Sequence, residues 1–539
     1  KLTVEVKVGS QIRPKEYNTM SSFSSWGVPG SLELKPEITA PGGYIYSVDG
    51  IVPGGESYEN MSGTSMAAPQ VAGMAALVGQ YIREAGLEEK TGHTARQLAQ
   101  SLLMSTAVPQ LEDFGQDAEG NDLGDGYYPV LRQGAGLANV GAAVSADSYI
   151  LMGEDATKSY ADGKIKAELG DDPEKTGRYE FSFSIFNLTE SEQTYALSGD
   201  LFTQDLFTDE GISYMNTWTT GLHAEVTFST GDTVTVPAGS SVDVKVTAVL
   251  TQEQKTALNQ NYPNGAYIEG YVFVKGVTTD DGAVGTTHSI PVLGFYGNWS
   301  DASMFDVGSR MEYLTGEETR APYLGDMKGN AAVVAYGESS QTAYFGGNPV
   351  VPDERYLPER NAINSENGDQ ITQLQFVLIR NAAATRVSAK NLTKDRVIMQ
   401  SEQGAVASAF YFTNGGYWMN TNYRLNTKFL PKGAAEGDRL ELALTMAPEY
   451  YVSYDAEGKA VVNWDALGEG ASFRIPMVVD NTAPVVKDAS LSFTRNAIEV
   501  TASDNQYVAA VALYNLSGTK VLTYDGAKQD IEPGEEAEY

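Results

Sequence analysis

Cysteine is absent from these 539 residues, which rules out a disulfide scaffold and any thiolate-ligated metal. Histidine numbers only three, so chemistry that needs an imidazole has few candidates. Basic residues are scarce beside acidic ones, 37 against 70, leaving a formal charge of −33. A surface of that sign repels phosphate backbones and anionic lipid, and no cluster of Lys or Arg offsets it, so nucleic acid is excluded as a partner. No apolar run approaches the ~18 residues needed to cross a bilayer, so no membrane-spanning segment is expected. The first residues are not read as a signal peptide either. The chain opens on the alternating strand pattern Lys1-Leu2-Thr3-Val4-Glu5-Val6-Lys7-Val8, and an opening in mid-strand implies that the natural N-terminus lies elsewhere.

What is plentiful points to sheet. Glycine reaches 55, Tyr outnumbers Phe 31 to 18, and the apolar fraction of 42% is ordinary for globular material. A chain this long needs three or four cores. Period-two alternation starts near residue 149, as in Tyr179–Phe186 and in Asp232–Val246, where Pro237-Ala238-Gly239 marks a turn. Five Asn-x-Ser/Thr sequons occur, at Asn60, Asn187, Asn298, Asn391 and Asn515. One lies where a glycan would smother the most distinctive stretch of the chain, so all five are taken as chance.

That stretch is Asn60-Met61-Ser62-Gly63-Thr64-Ser65-Met66-Ala67-Ala68-Pro69. A run of small and apolar residues in helical spacing follows Ser65, which puts the serine at a helix start. There its hydroxyl lies beside free backbone N–H groups and the positive end of the helix dipole, both suited to a developing oxyanion. Gly63 permits a sharp turn before the serine, and Ala67, Ala68 and Gly73 would let the helix pack closely against strands. Pro69 is read as a first-turn proline. A capping serine on a buried small-residue helix is the plainer alternative.

The stretch resembles the serine-nucleophile signature of the subtilisin family, Gly-Thr-Ser-x-Ala/Ser-x-Pro. Three further landmarks of that family stand in the same order: Phe23-Ser24-Ser25-Trp26-Gly27, Lys35-Pro36-Glu37-Ile38-Thr39-Ala40-Pro41-Gly42, and Gln133-Gly134-Ala135-Gly136. Further on, Gly265–Val272 and Ile290–Trp299 resemble the fibronectin type III-like domain of cell-envelope subtilases, the lactocepin-type proteinases and the streptococcal complement-cleaving peptidase. Asn361–Asp369 and Phe376–Ala382 are similar to their next domain.

The resemblance implies a multidomain chain. Residues 1–148 would be the C-terminal part of an α/β subtilisin-like domain with a parallel sheet, and 149–300 a fibronectin type III-like β-sandwich. A second β-sandwich would span 301–484 and a partial third β-domain 485–539. It further implies a serine endopeptidase that forms an acyl-enzyme on Ser65 and acts on protein or peptide substrates. Ser62, Gly63 and Thr64 would border the cleft or assist the oxyanion, and Met66 would be an oxidation-sensitive neighbour. The location would be extracellular, secreted or cell-wall associated. No organic cofactor is called for. A structural calcium is allowed, although the acidic loop from Asp113 to Asp125 has poor ligand spacing, and Glu366 and Gln370 depart from the family's pattern in the 361–370 loop.

A serine hydroxyl needs a base, and the base an orienting acid. His93 is read as a capping or exposed residue, and His223 and His288 as strand residues far from Ser65. All three follow Ser65, whereas the family's catalytic His precedes it. The expectation is therefore that the Asp, the His and the oxyanion Asn lie on a missing N-terminal protease segment, and that the chain by itself is inactive. The competing class is a non-enzymatic array of surface sandwiches for adhesion or spacing with a degenerate protease unit.

Overall fold

The computed structural model describes residues 19–27, 30–50, 57–115, 124–209, 212–277, 285–306, 309–316, 329–337, 342–348, 356–405, 410–413, 416–419, 423–528 and 530–539. The opening strand expected at 1–8 lies outside them, as does the middle of the acidic 113–125 loop. The fold is multidomain and β-rich with few helices, and the chain divides into two compact units, 1–299 and 300–539. The boundary expected at 148 falls inside the first.

Helices dominate the early part of the first unit. They are α1 (Thr64–Glu84), α2 (Leu87–Thr91), α3 (Ala95–Ser105), α4 (Val130–Gln133) and α5 (Val140–Val144). Thr94 caps α3 in a reciprocal capping box with Gln97, which fixes where that helix begins. Val78 and Ile82 of α1 pack with Leu98, Leu102 and Leu103 of α3 and Ala143 of α5. The strands of this stretch pair antiparallel: β1 (Ile45–Val48) with β2 (Tyr58–Met61), and β3 (Leu111–Asp113) with β4 (Asp125–Tyr127). Among the described residues of 19–147 the parallel contact is one bridge, Thr39 to Leu137.

From residue 148 the strands are β5 (Ser148–Met152), β6 (Ala167–Asp172), β7 (Arg178–Asn187), β8 (Gln193–Asp209), β9 (Ile212–Gly221), β10 (Glu225–Phe228), β11 (Thr233–Val236), β12 (Ser241–Val249), β13 (Ala266–Gly276) and β14 (Thr287–Tyr296). One sheet runs β10-β12-β7-β5, the other β11-β8-β13-β14-β6 with β9 on β8. Strand β7 alternates buried and half-buried residues as its sequence predicts. The Pro237-Ala238-Gly239 turn does not close a hairpin. Strand β11 before it pairs with β8, and β12 after it pairs with β7, so the chain changes sheets there. Phe181, Phe183 and Ile185 from the first sheet share a core with Leu197, Val272 and Ile290 from the second.

The early helices and these sheets share their packing. Met104, Ala107 and Ala135 enter the same core, Tyr149 and Phe186 join the α1–α3 cluster, and Leu34, Val130 and Leu131 pack with Phe202, Tyr271 and Leu293. At roughly 1.5–3 kcal/mol per buried side chain, the shared contacts tie the two stretches firmly together.

The second unit holds a four-stranded and a five-stranded sheet. The first runs Thr342–Tyr344, Ala331–Ala335, Gln370–Phe376, Tyr423–Phe429, and the second Ala362–Ile363, Ser472–Val479, Arg439–Ala447, Ala384–Asn391, Arg396–Gln403. Both contribute to one core through Leu374, Phe376, Leu442 and Ile475. In 485–539, among the described apolar residues, Ala502 and Val508 are buried.

Candidate active site

Helix α1 opens at Thr64, so Ser65 is its second residue and exposed, and Gly63 precedes the helix without any side-chain cap on the first N–H groups. The N–H groups of the first turn need partners from elsewhere, which is the condition for receiving a negative charge. Met66 N–H bonds back to the Gly63 carbonyl at 3.0 Å and tightens the turn. Pro69 is the sixth helical residue rather than a first-turn one, so it has no N–H to give the Ser65 carbonyl four residues back.

The turn before the helix is tied to the Ala40-Pro41-Gly42-Gly43 loop. Gly63 N–H donates to the Gly42 carbonyl at 2.8 Å, Tyr44 N–H to Ser62 Oγ at 2.9 Å, and the Gln70 amide to the Pro41 carbonyl at 2.7 Å. A Cβ on Gly42 would lie 2.8 Å from the Gly63 carbonyl oxygen, so the close approach needs glycine there. The two sequence motifs thus meet in the fold, and one loop seats the other.

The outward face of α1 is a correction to the sequence reading. Ala68, Ala72, Gly73, Ala76 and Leu77 are exposed, Leu77 by 54%, and a Cβ on Gly73 would meet nothing within 4 Å. Of the three small residues expected to pack against strands, Ala68 and Gly73 stand exposed among the described residues, while Ala67 is half-buried. Positions 65, 69, 73 and 77 follow one another at four-residue spacing, so this uncovered stripe is continuous with Ser65. Hairpin β1–β2 beside it exposes Tyr44 by 87%, along with Tyr46 and Tyr58, whose rings stack at 5.5 Å.

None of the described hydrogen bonds of the histidines goes to Ser65. His93 is half-buried rather than free: Nδ1 lies 2.9 Å from the Tyr149 hydroxyl, and the ring meets Phe186 edge-on. Burial lowers its pKa and pushes the Tyr149 phenol up to about 12. His223 sits just past β9 in a left-handed conformation and is exposed, not in a strand. His288 on β14 is fully buried between Ser105 of α3 and Ser148 of β5, each at 2.9 Å. Burial carries its pKa down to about 4, against the pull of Asp147. A neutral ring donates from one nitrogen and accepts at the other, so it serves both hydroxyls as a structural link.

Two buried polar groups went unnoticed in the sequence. Lys166 has a fully buried side chain that reaches Glu33 at 2.9 Å, Glu168 at 2.7 Å and the Leu34 carbonyl at 3.4 Å. Burial alone would raise the Glu33 carboxyl, but Lys166 and then Lys35 hold it below the usual value. Glu37 of the Lys35-Pro36-Glu37 motif behaves likewise through Lys164 and Lys35. Glu269 on β13 is the other. It is fully buried, accepts from Leu131 N–H at 3.0 Å and from the Gln204 amide at 2.6 Å, and burial lifts it to about 7. Period-two alternation marked these stretches as strand without saying which polar side chains turn inward.

Among the described residues no group of three His, Cys, Asp or Glu is placed to hold a metal. The Asp369 carboxylate in the 361–370 loop accepts from Gly337 N–H at 2.6 Å and Asn364 N–H at 3.0 Å. No helix in those residues is long and apolar enough to cross a membrane.

Residues 6–136 match the subtilase family, and 168–293 match an Fn3-like domain. The PI-type proteinase of Lactococcus lactis subsp. cremoris is 25% identical over 95% of this chain and 25% of its own length. The PIII-type proteinase of strain SK11 is 26% identical over 71% of this chain and 18% of its own. The C5a peptidase of Streptococcus pyogenes serotype M3 is 29% identical over 57% of this chain and 23% of its own. The chain spans about a quarter of the length of the curated relatives it matches.

Proposed function

We infer, from a chain that joins a subtilase-family segment to an Fn3-like domain, that it is part of a serine endopeptidase with Ser65 as nucleophile. The observation that carries this reading is the exposed serine at the uncapped start of a 21-residue helix. Ser65 Oγ attacks the scissile carbonyl and passes its proton to a base. The carbonyl becomes a tetrahedral oxyanion facing the N–H groups of the first turn, with Thr64 beside it and Ser62 and Gly63 bordering the cleft. Collapse expels the amine, protonated by the same base, and leaves an acyl-enzyme that water resolves.

The base and its orienting acid belong, in this reading, to a segment that this chain does not contain. The placement of the three histidines supports that, and so does the uncovered apolar stripe on α1, which runs down the helix from Ser65. A segment laid on it reaches the serine. The Thr39–Leu137 parallel bridge fits the edge of a parallel sheet that such a segment would extend. Residues 149–300 and 301–484 are read as β-sandwiches, each from two sheets around one core, and 485–539 as a partial third. Substrates are proteins or peptides, and the location is outside the cell, secreted or held in the wall. The chain alone should fail to react with a fluorophosphonate. Supplying the base-bearing segment should produce labelling that Ser65→Ala abolishes, and persistent labelling in Ser65→Ala would remove Ser65 from the role.

A further inference from the structure

Strand β13 grips α4 at both ends. Residues 269 and 271 are two apart and share one face of the strand. Glu269 accepts the Leu131 N–H at the start of α4, and the buried Tyr271 hydroxyl donates to the Gly134 carbonyl just past its end, at 2.8 Å. Gly270 between them lets the backbone of β8 approach, since a Cβ there would lie 2.3 Å from the Asp200 carbonyl oxygen. Beside Glu269 stand the Gln204 amide from β8 and the phenol of Tyr271, and among the described residues no ion pair reaches it.

From α4 the contacts lead to the nucleophile turn. Leu131 carbonyl accepts Gly27 N–H at 3.1 Å. Arg132, nearly buried, donates to the Met20 and Ser21 carbonyls at 3.4 Å each, and its guanidinium lies 5.5 Å from the Trp26 ring and 5.2 Å from Tyr128. Ser21 Oγ would stand 3.3 Å from a Cβ on Gly43, and Gly42 receives the Gly63 N–H that opens the helix.

We propose that Glu269 and Arg132 are positioning residues, through which the Fn3-like domain holds residues 20–27 against the Gly42–Gly43 loop and so seats the turn that carries Ser65. Neither touches substrate. The proposal rests on Ser65 being the nucleophile for its consequence in catalysis, but the mechanical link stands on these contacts alone. A carboxylate or amide at 269 can accept the Leu131 N–H, whereas a thioether of similar length accepts only weakly. Arg132 works as a fork over two rings, which a lysine does not reproduce.

Hydrogen exchange on the full chain separates the two levels. Glu269→Met and Arg132→Lys should speed exchange in peptides covering 19–27 and 40–44 by about tenfold, the loss of one hydrogen bond's worth of protection. Glu269→Gln should restore the wild-type rate, and the β7–β12 peptides should not change. Acrylamide should quench Trp26 more strongly in the same two variants, scored against Trp26→Phe. With the base-bearing segment supplied, both variants should slow fluorophosphonate labelling of Ser65 by about tenfold or more. Exchange in 19–27 that is unchanged in Glu269→Met, or raised equally in Glu269→Gln, overturns the proposal. Wild-type protein that never labels, with the exchange results as expected, refutes the reading of Ser65 and leaves the mechanical link standing.

Discussion

Replacing Glu269 by glutamine should change how the first unit's stability depends on pH, because two buried groups in it oppose each other. The Glu269 carboxyl rises from its ordinary 4.5 to about 7. Its folded form holds the proton more tightly than the unfolded form, so its contribution is full below about 4.5 and is lost as pH rises through 7. His288 falls from 6.5 to about 4. Its folded form resists the proton, so its contribution is full above about 6.5 and is lost as pH falls through 4. At ~1.4 kcal/mol per pH unit, each effect amounts to about 3 kcal/mol. They slope in opposite directions over nearly the same window, so they leave the wild-type curve close to flat from this pair. Glutamine keeps an acceptor for the Leu131 N–H and removes the titration. Glu269→Gln should therefore gain up to about 3 kcal/mol relative to wild type between pH 5 and 8, exposing the upward slope of His288. Urea unfolding of the full chain at pH steps from 4 to 8 measures this, with the relevant transition identified by its shift in Leu131→Ala. A difference between variant and wild type that stays constant with pH would show that Glu269 does not titrate in this window, and the reasoning would fail.

Lys166→Met should destabilise the first unit by about 3 kcal/mol, since it leaves Glu33 and Glu168 facing each other without their buried cation; a thermal melt at pH 7 reads it, and a loss below about 1 kcal/mol contradicts the ion network. Gly42→Ala should displace the Gly63 turn, because the new methyl carbon meets the Gly63 carbonyl at 2.8 Å; Ser65 labelling in the presence of the base-bearing segment should drop by about tenfold or more, and unchanged labelling would mean the turn does not depend on that seat. Cutting after residue 148 should unfold the helical segment, whose clusters borrow Tyr149, Phe186, Phe202 and Leu293; a fragment 1–148 with a cooperative melt matching the full chain would reduce the Fn3-like domain to a spacer.

The helix at Ser65 was legible because it is local: small residues in helical spacing fix its conformation with little help from afar. The face that α1 buries was not legible. Ala67, Ala68 and Gly73 read as small residues for close packing, but periodicity names no partner, and among the described residues Ala68 and Gly73 stand exposed. Glu269 stood inside the Gly-x-x-x-Glu-Gly-Tyr-Val pattern as a landmark only. Its burial follows from α4, which lies more than a hundred residues earlier and meets it in the fold. His288 looked like any strand histidine for the same reason, since Ser105 and Ser148 come from other elements. The change of sheet at Pro237–Gly239 is equally non-local: a turn signal tells where a strand ends and not which strand the next one joins.

The measurement that bears most directly on the central claim is fluorophosphonate labelling of this chain, alone and with the base-bearing segment added, read by mass at the peptide containing Ser65. The account predicts no modification of the chain alone, modification at Ser65 once the segment is present, and none in Ser65→Ala. Robust labelling of Ser65 in the isolated chain would contradict it, because an imidazole from somewhere within these residues would then have to be activating the serine.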